Sequence, residues 1–187
     1  MTHRDDIIAA ATRLTEDEGW SAVTMSRLAD EVGVSRQTVY NEVGSKPELA
    51  QTMVLTELAS FLAVVDSAFE ANPDDVVAGV RVAVRGVLEM AENHPLLTAI
   101  VAVSHGADSE LLPWLTTRSE SVLNLATTDI AGRLRPYARH LGRRQEEAVA
   151  DVIVRTVLSH VMQPGRSPRA TADDLAWVVS RLLAEAA

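Results

Sequence analysis

Within six residues, from Arg36 to Asn41, the chain sets out a guanidinium, two amides, an aliphatic hydroxyl and a phenol on Arg36, Gln37, Thr38, Tyr40 and Asn41. These are the groups that hydrogen-bond base edges in a DNA major groove, where arginine pairs with guanine and asparagine or glutamine with adenine. No comparable grouping points to catalysis. The five histidines, His3, His94, His105, His140 and His160, stand at no metal-ligand spacing, and no HExxH, Walker loop, GxSxG or GxGxxG occurs. The paired acids Asp74-Asp75 and Asp173-Asp174 fall in expected first turns of helices, where the helix dipole already accounts for them. The chain has no cysteine, which removes disulfides and thiolate metal sites. The expectation is a protein that is not an enzyme, with no catalytic residues, no metal and no cofactor.

Two short helices must carry that polar cluster. Thr24 stands before the spacing Met25, Leu28, Ala29, Val32, which is one face of a helix with an N-cap in front of it. Gly33 follows the last apolar position, where a left-handed turn residue is cheap for glycine, and Ser35 offers a second N-cap. On the second helix Val34, Val39 and Val43 can face a core, leaving the polar residues outward. Two helices joined this way form a helix-turn-helix. Ser45 and Glu48 then read as a capping box, with Lys46 and Pro47 opening the next helix, and Lys46 sits where a phosphate is welcome.

The segment resembles the TetR family of regulators, through Thr24 at the start of the second helix, Gly33-Val34-Ser35, Thr38-Val39-Tyr40 and the late Lys46. The likeness covers about the first fifty residues at motif level, and the remainder by length and an all-helical pattern. It implies a homodimeric, usually repressing transcription factor whose C-terminal domain binds a small molecule and thereby changes the spacing of two reading heads. Carried over by position, it puts Thr24, Ser26, Arg27, Ser35, Tyr40 and Lys46 on the DNA backbone or flanking bases, and Arg36, Gln37, Thr38 and Asn41 toward the groove. After the tyrosine, where many members carry an aromatic or histidine and then phenylalanine, this chain has Asn41, Glu42 and Val43. Glu42 cannot neutralise a phosphate; reading a cytosine amino group, pairing with a neighbouring arginine, or pointing away are the roles open to it. The wording QTVYNEVGSKPEL and HPLLTAIV resembles actinobacterial members that govern lipid or alkane metabolism, which implies a fatty acyl or alkane-like effector.

Charge argues the other way at first sight. The net charge is -9, and residues 1–50 hold five Lys or Arg against nine Asp or Glu. Yet Asp5, Asp6, Glu16, Asp17, Glu18, Asp30 and Glu31 belong to the first two helices, away from the reading face, while Arg27, Arg36 and Lys46 gather on it. Modest non-specific affinity with a shallow salt slope is the expectation. The N-terminus MTHRDD lacks the apolar core of a signal peptide, and the uncharged run from Pro95 to Ala107 is too short to span a bilayer. A soluble cytoplasmic protein without a membrane partner is expected.

The periodicity predicts an all-α chain, with an N-terminal three-helix domain containing the helix-turn-helix (residues 1–46) and a larger helical effector-binding and dimerisation domain (residues 47–187). Helix 1 is expected from about Arg4 to Glu18, with Gly19 and Trp20 closing it as a Schellman-like stop. A long apolar helix should follow from Pro47 to about Ala71, another from Asp75 to about Asn93, and one from Pro95 to Gly106. A helical stretch from Leu111 to about Tyr137, a helix from Arg143 to Met162, and a last one opened by Thr171 complete the chain. On the penultimate helix Val149, Val152, Ile153, Val157 and Val161 form one stripe, with Val154 and Leu158 to its side; Trp177 lies off the stripe of the last helix. Val154, Leu158, Val161 and Trp177 are therefore the expected dimer contacts, and a head that reads a palindromic operator in double-stranded DNA needs a partner ~34 to 36 Å away.

An effector pocket is expected between the central helices, lined by Phe61, Val65, Met90, Leu97, Ile100 and Val101 and, further on, by Trp114, Leu115 and Leu123. Ser104, His105 and Arg118 are its polar candidates. Such a lining suits a small apolar effector. The competing reading is a helical carrier of apolar ligands, or an interaction protein, without functional DNA binding.

Overall fold

The structure, a computed structural model, describes residues 2–97, 120–138 and 141–184, and these residues hold helices and no strand. They form two compact units.

Of the described residues, the first unit takes in 2–57 and 94–97. Helix α1, His3–Glu18, opens on a capping box: Thr2 Oγ1 accepts from the Asp5 amide while the Asp5 carboxylate accepts from the Thr2 amide at 2.9 Å. Ile7, Ala10, Ala11 and Leu14 recur on its inner face and are buried. Its end differs from expectation. Gly19 has φ 85° and ψ 161°, an extended left-handed conformation that cannot form the Schellman closure, and the chain enters a 3-10 turn, Trp20–Ala22, instead. Trp20 is thereby folded inward and buried.

Helix α2 is Met25–Val32, capped by Thr24, whose Oγ1 accepts from the Arg27 amide at 3.2 Å. The six-residue closure missing at Gly19 occurs at Gly33, where φ is 73° and ψ 34° and the Val34 amide reaches the Ala29 carbonyl at 3.0 Å. Helix α3, Arg36–Val43, starts at once, its cap Ser35 accepting from the Thr38 amide at 3.0 Å. Helices α1, α2 and α3 pack on one another pairwise. Leu28, Ala29, Val39 and Val43 are buried, whereas Val32 and Val34 are half-buried at the turn. Burying one such aliphatic side chain contributes roughly 1.5 to 3 kcal/mol, so Leu28 and Val39 fasten the two short helices to α1.

Helix α4, Lys46–Glu70, contributes its residues through Glu57 to this unit and the rest to the second. Leu49, Ala50 and Met53 complete the head's core. The Glu57 carboxylate meets His94 Nε2 at 2.9 Å, just before a helix that opens at Pro95. Among the described residues α4 is the one helix long and apolar enough to cross a membrane by length and composition. Its Glu57 and Asp66 carboxylates pair with His94 and Arg133.

The second unit joins the rest of α4 to α5 (Val76–Glu92), α6 (Glu120–Leu134), α7 (Arg143–Met162) and α8 (Pro168–Ala184). Helix α8 lies along α5, α6 along α7, and α5 also touches α7. Val65, Phe69, Val84, Leu134, Ile153 and Val179 are among the side chains that meet in its core. Arg133 ties α6 to α4 by pairing with Asp66, and it also takes Asp129 one turn back at 2.7 Å. The Asp129 bond raises the affinity of this guanidinium for its proton.

Two details depart from the periodicity. Helix α8 starts at Pro168 rather than Thr171, because Ser167 supplies the cap, its Oγ accepting from the Ala170 amide at 3.3 Å with proline in the first turn. On α7, Val149, Ile153, Val154, Val157 and Val161 turn to the core, while Val152 is 52% exposed. At about 100° per residue, Val152 lies on the far side from the arc that α5 and α6 cover.

Candidate nucleic-acid interface

The outer face of α3 follows from what its inner face buries. Val39 and Val43 are inward, so Gln37 and Asn41 point away from the core with Thr38 and Tyr40 on the flanks. Gln37 and Asn41 are exposed and joined to each other, Gln37 Nε2 donating to Asn41 Oδ1 at 3.0 Å. Tyr40 is 45% exposed. Arg36, in the first turn, is exposed and makes no hydrogen bond or ion pair among the described residues. Thr38 is half-buried, and its hydroxyl is 2.9 Å from the Ser35 hydroxyl.

The other cations of the head are already engaged. Arg27 forms a two-pronged pair with Glu18 at 2.6 and 2.9 Å and also reaches the Ala22 carbonyl. The hydrogen bond from Arg27 holds the Glu18 carboxyl below the usual carboxylate range, and Arg27 is held above its own ordinary value by the same bond. Arg13 pairs with Glu31 at 2.8 Å. Lys46 donates to the Trp20 carbonyl at 3.0 Å with its ammonium over the indole ring. The acids of α1 and α2 are thus partly spent on arginines, and Glu18 faces the very guanidinium that the sequence assigns to the DNA side.

Thr24 and Ser35 are caps whose oxygens serve the Arg27 and Thr38 amides, and Ser26 is half-buried. Glu48 accepts from the Ser45 amide at 2.7 Å, which lowers its carboxyl and fixes the start of α4 beside the reading helix. Glu42 is half-buried on the flank of α3, and its backbone carbonyl accepts from Arg4 Nη1 at 2.6 Å. Sequence reasoning missed Glu18, Arg4 and Trp20 as partners. The turn between Glu18 and Arg27, and the separations of Arg4 from Glu42 and Trp20 from Lys46, leave no periodic signal.

Of the residues assigned to an effector pocket, Phe61, Met90 and Leu123 are half-buried and Val65 belongs to the core of the second unit. Leu97, in the first unit, is buried. Ile100, Val101, Ser104, His105, Trp114, Leu115 and Arg118 lie outside the described residues. Among the expected dimer contacts, Val154 and Val161 pack partly on the core, Leu158 is half-buried, and Trp177 is 60% exposed with Arg181 over its ring.

Known proteins match this chain along nearly its whole length. Residues 7–53 match "Bacterial regulatory proteins, tetR family", and residues 75–181 match "Bacterial Tetracyclin repressor, C-terminal domain". The HTH-type transcriptional regulator AlkX of Mycobacterium tuberculosis is 28% identical over 177 residues, 95% of this chain and 83% of that protein. Among solved structures, the TetR family repressor AlkX from Dietzia sp. strain DQ12-45-1b, implicated in biodegradation of n-alkanes, superimposes with a TM-score of 0.79. Its identity is 26%, over 99% of this chain and 97% of that one. A TetR-family regulator from Pectobacterium atrosepticum shares the fold at 18% identity and a TM-score of 0.66, over 98% and 93% of the two chains. Regulators of this kind bind operator DNA, form homodimers and respond to small molecules rather than catalyse reactions. With a capped helix-turn-helix at one end and the matching C-terminal domain over the rest, the chain belongs to the TetR family of bacterial DNA-binding transcriptional regulators.

Proposed function

We propose that this regulator is a cytoplasmic repressor that binds a palindromic operator as a homodimer and is released by a small apolar effector of the alkane or fatty acyl type. The observation that carries the DNA half of the reading is the outer face of α3, where Arg36, Gln37, Tyr40 and Asn41 are exposed above a buried Val39 and Val43. Residues 1–46 serve as the reading domain, with Thr24, Ser26, Arg27, Ser35 and Lys46 toward the backbone. Residues 47–187 serve for effector binding and dimerisation.

Dimerisation is supported by the apolar side chains that α7 and α8 leave at the surface: Val152 at 52%, Trp177 at 60% and Leu182 at 39% exposure. A single chain gains nothing by exposing a valine, a tryptophan and a leucine on its last two helices, and a twofold contact would cover them.

The effector class rests on the likeness to the two AlkX proteins, one of them implicated in n-alkane biodegradation. It rests also on the apolar character of Phe61, Met90 and Leu123. The test is release: DNA selected from a random pool is labelled, bound, and titrated with n-alkanes, fatty acids and acyl-thioesters of graded chain length. Loss of anisotropy that depends on chain length supports the reading. Release by polar compounds alone, or by none of these at their solubility limits, overturns the effector assignment.

A further inference from the structure

Gln37 and Asn41 stand one turn apart at the centre of the outward face of α3, and each is exposed. The bond from Gln37 Nε2 to Asn41 Oδ1, 3.0 Å long, orients both amides before any ligand arrives. It consumes one Nε2 hydrogen and one Oδ1 lone pair. Gln37 Oε1 is left to accept and both Asn41 Nδ2 hydrogens are left to donate. Of their neighbours on the helix, the Thr38 hydroxyl lies against Ser35 and the Glu42 carbonyl takes Arg4, while Arg36 and Tyr40 stay exposed beside the pair.

We propose that Gln37 and Asn41 act as one preorganised acceptor-and-donor unit that reads an adenine in each half of the operator. The assignment follows from the base edges in the major groove. Adenine offers an amino donor at N6 and an acceptor at N7, which complement Gln37 Oε1 and Asn41 Nδ2. Guanine offers two acceptors, which the remaining Gln37 Nε2 hydrogen and Asn41 Nδ2 can meet only by leaving Oε1 without a donor. Cytosine offers a donor alone, and thymine an acceptor beside a methyl group, so each leaves one amide group unpaired on losing water. The bond within the helix also removes rotamer freedom in the free protein, so less is lost on docking. The two residues are then coupled: removing either unseats the other.

The inference rests on the operator-binding reading, and the experiment separates the two. Full-length wild type, Gln37→Ala and Asn41→Ala are each used to select from a random duplex pool, and affinities for the winning site and its single-base variants are measured. Both positions are exposed, and thermal melts check that the variants fold. The wild type is expected to enrich adenine at one position per half-site and to lose about ten- to a hundredfold in affinity when it is replaced. Both variants should lose that same preference, and the double variant should bind no more weakly than the worse single. Enrichment of a site without such an adenine, or variants that relax different positions, overturns the proposal and leaves operator binding intact. Failure to enrich any site overturns both.

Discussion

The ammonium group of Lys46 lies 4.8 Å from the centroid of the Trp20 ring and donates to the Trp20 carbonyl oxygen at 3.0 Å. One side chain thus clamps the first turn of α4 to the 3-10 turn that follows α1. A lysine assigned to phosphate from its place at a helix N-terminus is also a bolt within the head.

Lys46→Met keeps the apolar stem and removes the charge. It should lower the stability of the protein by about 1 kcal/mol, the scale of a partly buried cation–aromatic contact and its hydrogen bond. It should also weaken binding to operator and scrambled duplex alike, since phosphates are the same in both. Calorimetric melting and anisotropy titrations measure the two effects, and a loss confined to the operator would contradict the phosphate role.

Glu18 offsets Arg27 across the α1–α2 connection. Glu18→Gln should free that guanidinium for a phosphate, tighten binding to every duplex, and steepen the dependence of log affinity on log salt by about one unit. Titrations at several salt concentrations decide it: an unchanged slope would mean that Arg27 does not reach the DNA.

The capping carboxylate of Glu48 gives a pH dependence of defined sign. The Ser45 amide and hydroxyl pull its carboxyl below the ordinary carboxylate range. The folded state therefore binds a proton less readily than the unfolded chain. The stabilisation is complete above the unfolded value, about 4.3, and is lost as pH falls through the lower folded value. Melting temperatures between pH 7 and pH 3 should fall faster for the wild type than for Glu48→Gln, with the variant less stable at neutral pH. Parallel acid limbs would assign the acid sensitivity elsewhere.

Val152 and Trp177 are apolar and exposed on α7 and α8. The double substitution Val152→Asp with Trp177→Asp should leave each chain folded while shifting sedimentation from dimer to monomer and abolishing tight binding to a palindrome. A variant that still sediments as a dimer would move the interface to another face.

The helix-turn-helix was legible because its signals are local. Thr24, Ser35 and the Ser45–Glu48 box cap helices within three residues of themselves, and Gly33 takes up a conformation that other residues resist. Gly19 carries the same residue type without making that closure, because whether a glycine closes a helix depends on where the next side chain must go; here Trp20 turns into the core. On α7, Val152 falls outside the buried arc for a similar reason. A run such as VADVIVRTVLSHV is apolar on several sides, and only the positions of α5 and α6 choose which side is buried.

The amino-acid sequence by itself determined the all-helical class, the capped reading unit and the polar set Arg36, Gln37, Thr38, Tyr40 and Asn41, of which Gln37 and Asn41 face away from Val39 and Val43. Those follow from periodicity and from hydrogen bonds between near neighbours. Tertiary structure decided which charges remain available. Glu18 meets Arg27 and Arg4 meets the Glu42 carbonyl because α1, α2 and α3 pack together, and Lys46 meets Trp20 because Leu49 and Met53 bury the start of α4 in the head. Such pairings depend on distance in space, which one-dimensional spacing does not encode.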